Sequence, residues 1–254
     1  GLPGPRYILG RLEGRAGRWA SAVDHFKAAS RLSPKSGWIL AAQAEAQEKL
    51  GATAEAVEAY KGALSLTRAT RRKMIYLRAL AQLSTTSGDH KASAVYRQAL
   101  LALSPKDREL TVSLARAHVA AGDHAAALKL LKGLTARTSD GARKAELLKE
   151  SGKVAAAMES YDQAVALFRE AMSLTARGHW LRRELTDEII EIYRKREALA
   201  ELIKIFEGRW KQRGAFEHQV LGRLYDQTGD EDKALAAYRA ALKRAPHEVQ
   251  IWLR

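Results

Sequence analysis

Apolar positions along this 254-residue chain recur at helical spacing. Leu40, Ala44, Gln47 and Leu50 fall on one helix face, as do Ile189, Ile190, Tyr193 and Leu199. No segment alternates apolar and polar residues over a useful length, so no sheet is predicted. A longer pattern lies over the helical one. Gly17, Ala22, Phe26 and Ala29 form a set that Gly51, Ala56, Tyr60 and Ala63 repeat 34 residues later. Gly152, Ala157, Tyr161 and Ala164 keep the same internal spacing, as do Gly229, Ala234, Tyr238 and Ala241. A period of this length is the signature of stacked helix pairs.

Each repeat reads as helix, tight turn, helix. The glycine ends the first helix with a positive φ. The small residue sits where the two helices cross, and the aromatic fills the gap toward the next repeat. Pro34, Pro105 and Pro246 follow second helices and stop them. The centre departs from the period. Gly88, Ala92, Tyr96 and Ala99 are one residue short, and Leu131 and Leu134 follow Gly122 and Ala127 in the later slots. Gly122 to Gly152 is 30 residues, which predicts a short first helix near Ala142–Lys149, and Gly152 to Gly229 is 77, nine more than two periods, which predicts a long second helix over Val154–Leu174. A repeat without the glycine follows, Trp180–Arg194 then Leu199–Lys211, with Leu202 and Phe206 in the small and aromatic slots.

These residues resemble the tetratricopeptide repeat family. Leu221, Gly222 and Tyr225 carry its L-G-x2-Y spacing, completed by Gly229, Ala234, Tyr238, Ala241 and Pro246. Leu9 and Gly10 open the first repeat similarly, while Arg6 and His218 stand where the family has an early tryptophan. The resemblance implies an all-α, right-handed superhelical solenoid of about six antiparallel helix pairs, irregular at about 140–180. The repeats fall at about 3–36, 37–70, 71–106, 107–137, 138–177, 179–213 and 215–248, in one array over 1–254. Residues 249–254, with Ile251, Trp252 and Leu253, read as the start of a further helix, so the array is expected to be a fragment of a longer protein.

The net charge is +14. Residues 1–105 carry 16 basic and 7 acidic side chains, and 106–254 carry 27 and 22. Such an excess favours acidic partners, nucleic acid or an anionic surface, and is also simply a soluble basic surface. The chain has no cysteine, which excludes disulfides and thiolate chemistry. No membrane-length apolar run and no signal peptide are visible, which favours a soluble, cytoplasmic setting.

No catalytic signature competes with the repeat. The seven histidines show no i, i+4 ligand pair, so neither a metal nor another cofactor is predicted. Asp187, Glu188 and Glu191 alternate with Arg182, Arg183, Arg194 and Lys195, the pattern of a salt-bridged helix face rather than of acid–base chemistry. Trp180 and Trp210 are expected to pack the sixth repeat, and Trp38 to open the second repeat's first helix. No phosphate loop or nucleophile elbow occurs. The chain is therefore read as non-catalytic.

In the family the first helices line a concave groove that takes an extended peptide or a helix. The resemblance places Tyr7, Arg11 and Arg15 of the first repeat there, with Glu45 and Glu48 of the second. Leu77 and Ala81 come from the third, Val112 and Arg116 from the fourth, and Gln219, Arg223 and Asp226 from the last. Some members clamp a terminal carboxylate with lysine, asparagine and arginine on three first helices; this chain has no asparagine at all. Arg68, Arg71, Arg72, Lys73 and Arg78 form the densest basic cluster, either a grip for phosphates or acidic peptide or a solvated connector. The expected function is a protein–protein interaction scaffold with a protein or peptide partner, an acidic one in particular. The alternatives are a nucleic-acid-binding helical repeat and a regulatory module of a larger enzyme.

Overall fold

A computed structural model describes residues 2–176, 179–208 and 214–245. Every regular element among them is a helix. They run α1 (Pro3–Arg15), α2 (Trp19–Leu32), α3 (Gly37–Lys49), α4 (Thr53–Leu66), α5 (Thr70–Thr86), α6 (His90–Leu103), α7 (Arg108–Ala120) and α8 (His124–Ala136). After these come α9 (Gly141–Ala157), α10 (Tyr161–Ser173), α11 (Trp180–Lys195), α12 (Leu199–Gly208), α13 (Ala215–Gln227) and α14 (Glu231–Arg244). They form seven helix pairs. The chain divides into two compact units, residues 1–134 and 135–254. Each is a stack in which extensive contacts join helices adjacent in sequence. No described helix is long and apolar enough to cross a membrane. Trp210, Pro246 and the further helix expected at 249–254 lie outside the described residues.

Five turns are glycine turns as read from the sequence. Gly17, Gly51, Gly88, Gly122 and Gly229 have φ between 75° and 81°, the left-handed conformation that costs a side chain about 1–2 kcal/mol. Capping supports several second helices: Asp89, Asp123 and Asp230 each accept from the backbone N–H three residues on, at 3.0–3.2 Å. The slots at +5, +9 and +12 from the turn hold the core. Ala22, Phe26 and Ala29 are buried in the first repeat, and Ala56, Tyr60 and Ala63 in the second.

The centre is irregular in a different way from that expected. Gly152 is not a turn. It lies inside α9, which has 17 residues and is not shortened, and no helix spans Val154–Leu174. The fifth turn is at Glu159 (φ 57°) and the sixth at Glu197 (φ 55°). Counted from Glu159, the core slots are Ala164, Phe168 and Ala171, all fully buried. Gly152 instead admits the Phe168 ring: a Cβ there would lie 2.4 Å from it. Gly10 against Phe26 and Gly222 against Tyr238 do the same, at 2.7 Å. Leu202 takes the small-residue slot of the sixth repeat, as expected, and is buried.

The third repeat is not one residue short either. Counted from Gly88, its slots are Ser93, Arg97 and Leu100, of which Ser93 and Leu100 are buried. An arginine thus stands where the other repeats place a ring or a leucine. Trp180 does not pack the sixth repeat: it is 59% exposed, at the start of α11.

Candidate ligand groove

The first helices of the N-terminal unit frame a crevice. Gly10 lets Phe26 of α2 reach past α1 to Ala42 and Ala46 of α3, with which it shares a core cluster. The resulting pocket, about 120 Å³, has Phe26, Ala42 and Ala46 among its lining, with Arg11 and Arg15 on the α1 side and Glu45 on the α3 side. All three charged side chains are exposed, and none forms an ion pair. Tyr7, one turn before Arg11 on α1, lies 4.5 Å edge-on from Trp38 and 5.6 Å from Phe26 between ring centroids. Trp38, near the start of α3 as expected, remains 42% exposed. Glu48, one turn beyond Glu45, accepts from the Tyr60 hydroxyl at 3.3 Å. Burial, then the charges of Glu48 and Glu45, push the Tyr60 phenol well above its ordinary value.

Measured back from each turn, the groove positions fall at −10, −6 and −2 or −3. Tyr7, Arg11 and Arg15 obey this, as do Glu45 and Glu48, Val112 and Arg116, and Gln219, Arg223 and Asp226. Leu77 and Ala81 sit one residue too early and are buried, Leu77 being 5% exposed. They pack the interior of the stack. The third repeat presents Arg78, Gln82 and Thr86 at these positions, all exposed. Val112 is half-buried and Arg116 exposed. In the basic cluster, Arg68, Arg71, Arg72 and Arg78 are exposed, Lys73 is half-buried, and none of the five pairs with a carboxylate.

In the C-terminal unit the equivalent face is occupied by its own charges. Lys149 and Lys153 of α9 reach Glu184 of α11 at 3.1–3.2 Å. Lys153 also reaches Glu188 at 3.2 Å, and Arg223 of α13 reaches Asp187 at 2.5 Å. Lys149 additionally lies 5.6 Å from the Trp180 ring. The carboxylates read as a salt-bridged face are so engaged, mainly with neighbouring helices; Glu191 alone pairs within α11, with Arg194. Arg223 is spent on Asp187, while Gln219 is half-buried and Asp226 exposed. No group of three or more possible metal ligands occurs among the described residues.

This ladder carries a pH dependence. Burial raises the Glu184 carboxyl, but hydrogen bonds and charge from Lys149 and Lys153 outweigh it and hold the group below its ordinary 4.5. A carboxyl depressed in the fold stabilises above its unfolded pKa, and that contribution is lost as pH falls through the folded value. Wild type should therefore lose stability below about pH 4.5 more steeply than Glu184→Gln, which forgoes this contribution at every pH. Thermal midpoints from pH 7 to 3 for both proteins measure it; parallel curves would contradict it.

Arg97 carries a sequence signal of its own. It lies nine residues after the turn glycine, the slot of Phe26 and Tyr60, but the neighbouring Tyr96 drew the register one residue early.

Models of the family described as tetratricopeptide repeat match residues 7–73, 85–150 and 215–254. No curated protein matches the chain. Among solved structures, a chain in that of Naa15/Naa10 bound to HypK-THB aligns with a TM-score of 0.71 at 18% identity, over 95% of this chain and 36% of its own. The present chain thus spans about a third of that neighbour's length. A tetratricopeptide repeat protein from Parabacteroides merdae aligns at 0.51 and 17% identity, over 98% of this chain and 95% of its own. YrrB, described as a TPR protein with an unusual peptide-binding site, aligns at 0.52 and 16%, over 72% and 91%. At these identities the likeness is one of fold.

Proposed function

Because the chain belongs to the tetratricopeptide repeat family, we propose that it is a non-catalytic scaffold that binds a partner's peptide or helix in the groove of its N-terminal unit, with an acidic segment as the preferred ligand. The observation that carries this reading is the contrast between the two units. On the same helix face, Lys149, Lys153 and Arg223 are engaged by carboxylates, whereas Arg11, Arg15 and Arg78 have no such partner. The N-terminal unit holds 21 basic and 10 acidic side chains, so its field favours an anionic segment. Phe26 and the Tyr7–Trp38 pair supply an apolar anchor beside those charges. Partner binding on this fold is supported by YrrB, described as having an unusual peptide-binding site, and by the structure of Naa15/Naa10 bound to HypK-THB.

The test is fluorescence anisotropy with labelled twelve-residue peptides graded in Asp and Glu content. Acidic peptides should bind best, and Arg11→Glu with Arg15→Glu should weaken them at least tenfold, a charge-assisted hydrogen bond contributing about 1.5–3 kcal/mol. Equal binding of neutral and acidic peptides, or an unaffected double variant, would overturn the reading.

The unpaired cluster from Arg68 to Arg78 supports a second reading, contact with nucleic-acid phosphates. Labelled RNA and DNA titrated at rising salt decide it: no binding even at low salt would end it.

A further inference from the structure

The third repeat holds a cation with no counter-ion. Arg97 of α6 is half-buried, and no carboxylate lies within ion-pair distance of it. Its Nε–H donates to Ser93 Oγ at 3.1 Å and its Nη2 to Thr85 Oγ1 at 3.2 Å, while its Nη1 donates to Ser113 Oγ. Three helices therefore hold one guanidinium. Of the other partly buried cations described above, Lys149 and Lys153 face carboxylates, while Lys73 pairs with none. Burying a charge is costly unless an opposite charge or several hydrogen bonds offset it. Hydroxyl oxygens offset part of that cost, and burial pulls the Arg97 guanidinium below its ordinary value.

The hydrogen-bond inventory leaves capacity. A guanidinium has five N–H donors, and three of them are spent on the hydroxyls. The Thr85 and Ser93 hydroxyls face each other at 2.8 Å and both approach the Ala81 carbonyl, at 2.8 and 3.0 Å, which uses their protons. The Ser113 hydroxyl accepts from Arg97, and its proton has no acceptor in the fold. Two guanidinium N–H groups and one O–H thus remain to be satisfied. Arg97, Thr85 and Ser113 all keep partial contact with solvent.

The repeat geometry says where this cluster lies. Each position lining the α1–α3 pocket has a counterpart 71 residues on: Gly14 becomes Thr85, Phe26 becomes Arg97 and Ala42 becomes Ser113. The hydrogen bonds from Arg97 to Thr85 of α5 and Ser113 of α7 show that it bridges the same two walls. Where the first repeat has the apolar Phe26, the third has a cation flanked by hydroxyls.

From this we infer that the Arg97 cluster between α5 and α7 is an oxyanion subsite, in which the Arg97 guanidinium and the Ser113 hydroxyl take a carboxylate or phosphate group. Guanidinium forks suit both anions, binding two of their oxygens in parallel. The inference rests on the groove reading only for the origin of the anion, a group carried by the bound segment.

The test separates the two. Arginine Nε–Hε resonances of the full chain are followed by NMR while inorganic phosphate, and separately acetate, is added at constant ionic strength. The Arg97 signal, assigned by its loss in Arg97→Phe, should shift saturably, while that of exposed Arg71 drifts little. The anion giving the tighter curve identifies the source. Arg97→Phe restores the ring found in this slot at Phe26 and Phe168 and should fold; Arg97→Lys is the second variant, keeping the charge but losing the fork and at least tenfold in anion affinity. An Arg97 signal that moves no more than that of Arg71 overturns the subsite, whatever peptides do. A saturating signal with no preference for acidic peptides leaves the subsite standing and removes the groove reading.

Discussion

Truncating Phe168 to alanine should lower stability by about 3–5 kcal/mol, the range for removing a buried aromatic side chain. Phe168 is fully buried and sits in a core cluster with Leu148, Leu181, Leu185 and Ile189 from the two flanking first helices. Its ring lies against the bare backbone of Gly152, which offers no side chain to fill the void. The loss should therefore fall near the top of the range. Phe26 fills the same slot in the first repeat but borders an open pocket, into which water can follow the lost ring. Phe26→Ala should cost less. Urea unfolding of both variants, followed by circular dichroism, measures the two losses. A Phe168→Ala cost below that of Phe26→Ala would contradict the packing argument.

The second large effect comes from adding one methyl group. Replacing a mid-helix glycine by alanine ordinarily gains about 1 kcal/mol. At Gly152 the new Cβ would meet the Phe168 ring at 2.4 Å, and overpacking of this kind costs typically 1–3 kcal/mol. With so close an approach to a fully buried ring, Gly152→Ala should be destabilising by about 2 kcal/mol net. Glu159→Gly is its complement. Glu159 holds φ 57°, a conformation that costs a non-glycine residue about 1–2 kcal/mol, and relieving it should raise stability by about 1 kcal/mol. Chemical denaturation of both variants reads the signs directly. Were Gly152 a turn and Glu159 an interior helical residue, Gly152→Ala would still destabilise, but Glu159→Gly would lower stability by about 1 kcal/mol instead of raising it.

That pair also shows what the sequence could and could not reveal. The all-helical repeat was legible because five turns use glycine and the small and aromatic slots follow at fixed distances. At the fifth repeat the fold places a glutamate in the left-handed turn, which a search for glycines passes over. Ala157, Tyr161 and Ala164 happened to follow Gly152 at the repeat spacing and supplied a false register seven residues early. The correct one was present in another distance: Gly10 to Phe26, Gly152 to Phe168 and Gly222 to Tyr238 are each 16 residues apart. Tyr96 drew the third repeat off by one in the same manner, which buried the expected Leu77 and Ala81 and hid Arg97. Arg11, Arg15 and Glu45 were legible because their distance from a true turn glycine fixes their face. That Arg223 would be consumed by Asp187 was not legible, since it depends on which helix lies opposite.

Extensive contacts in each unit join helices adjacent in sequence. This has a kinetic consequence. Contacts of short sequence separation close small loops, so low-contact-order helical proteins fold within microseconds to milliseconds. Stability in such a stack is a sum of local terms and nearest-neighbour interfaces, so amide hydrogen exchange should grade inward from the edges of each stack. A ligand seated across successive first helices would slow that exchange at a distance from its own contacts, by tying together neighbours that otherwise open one at a time.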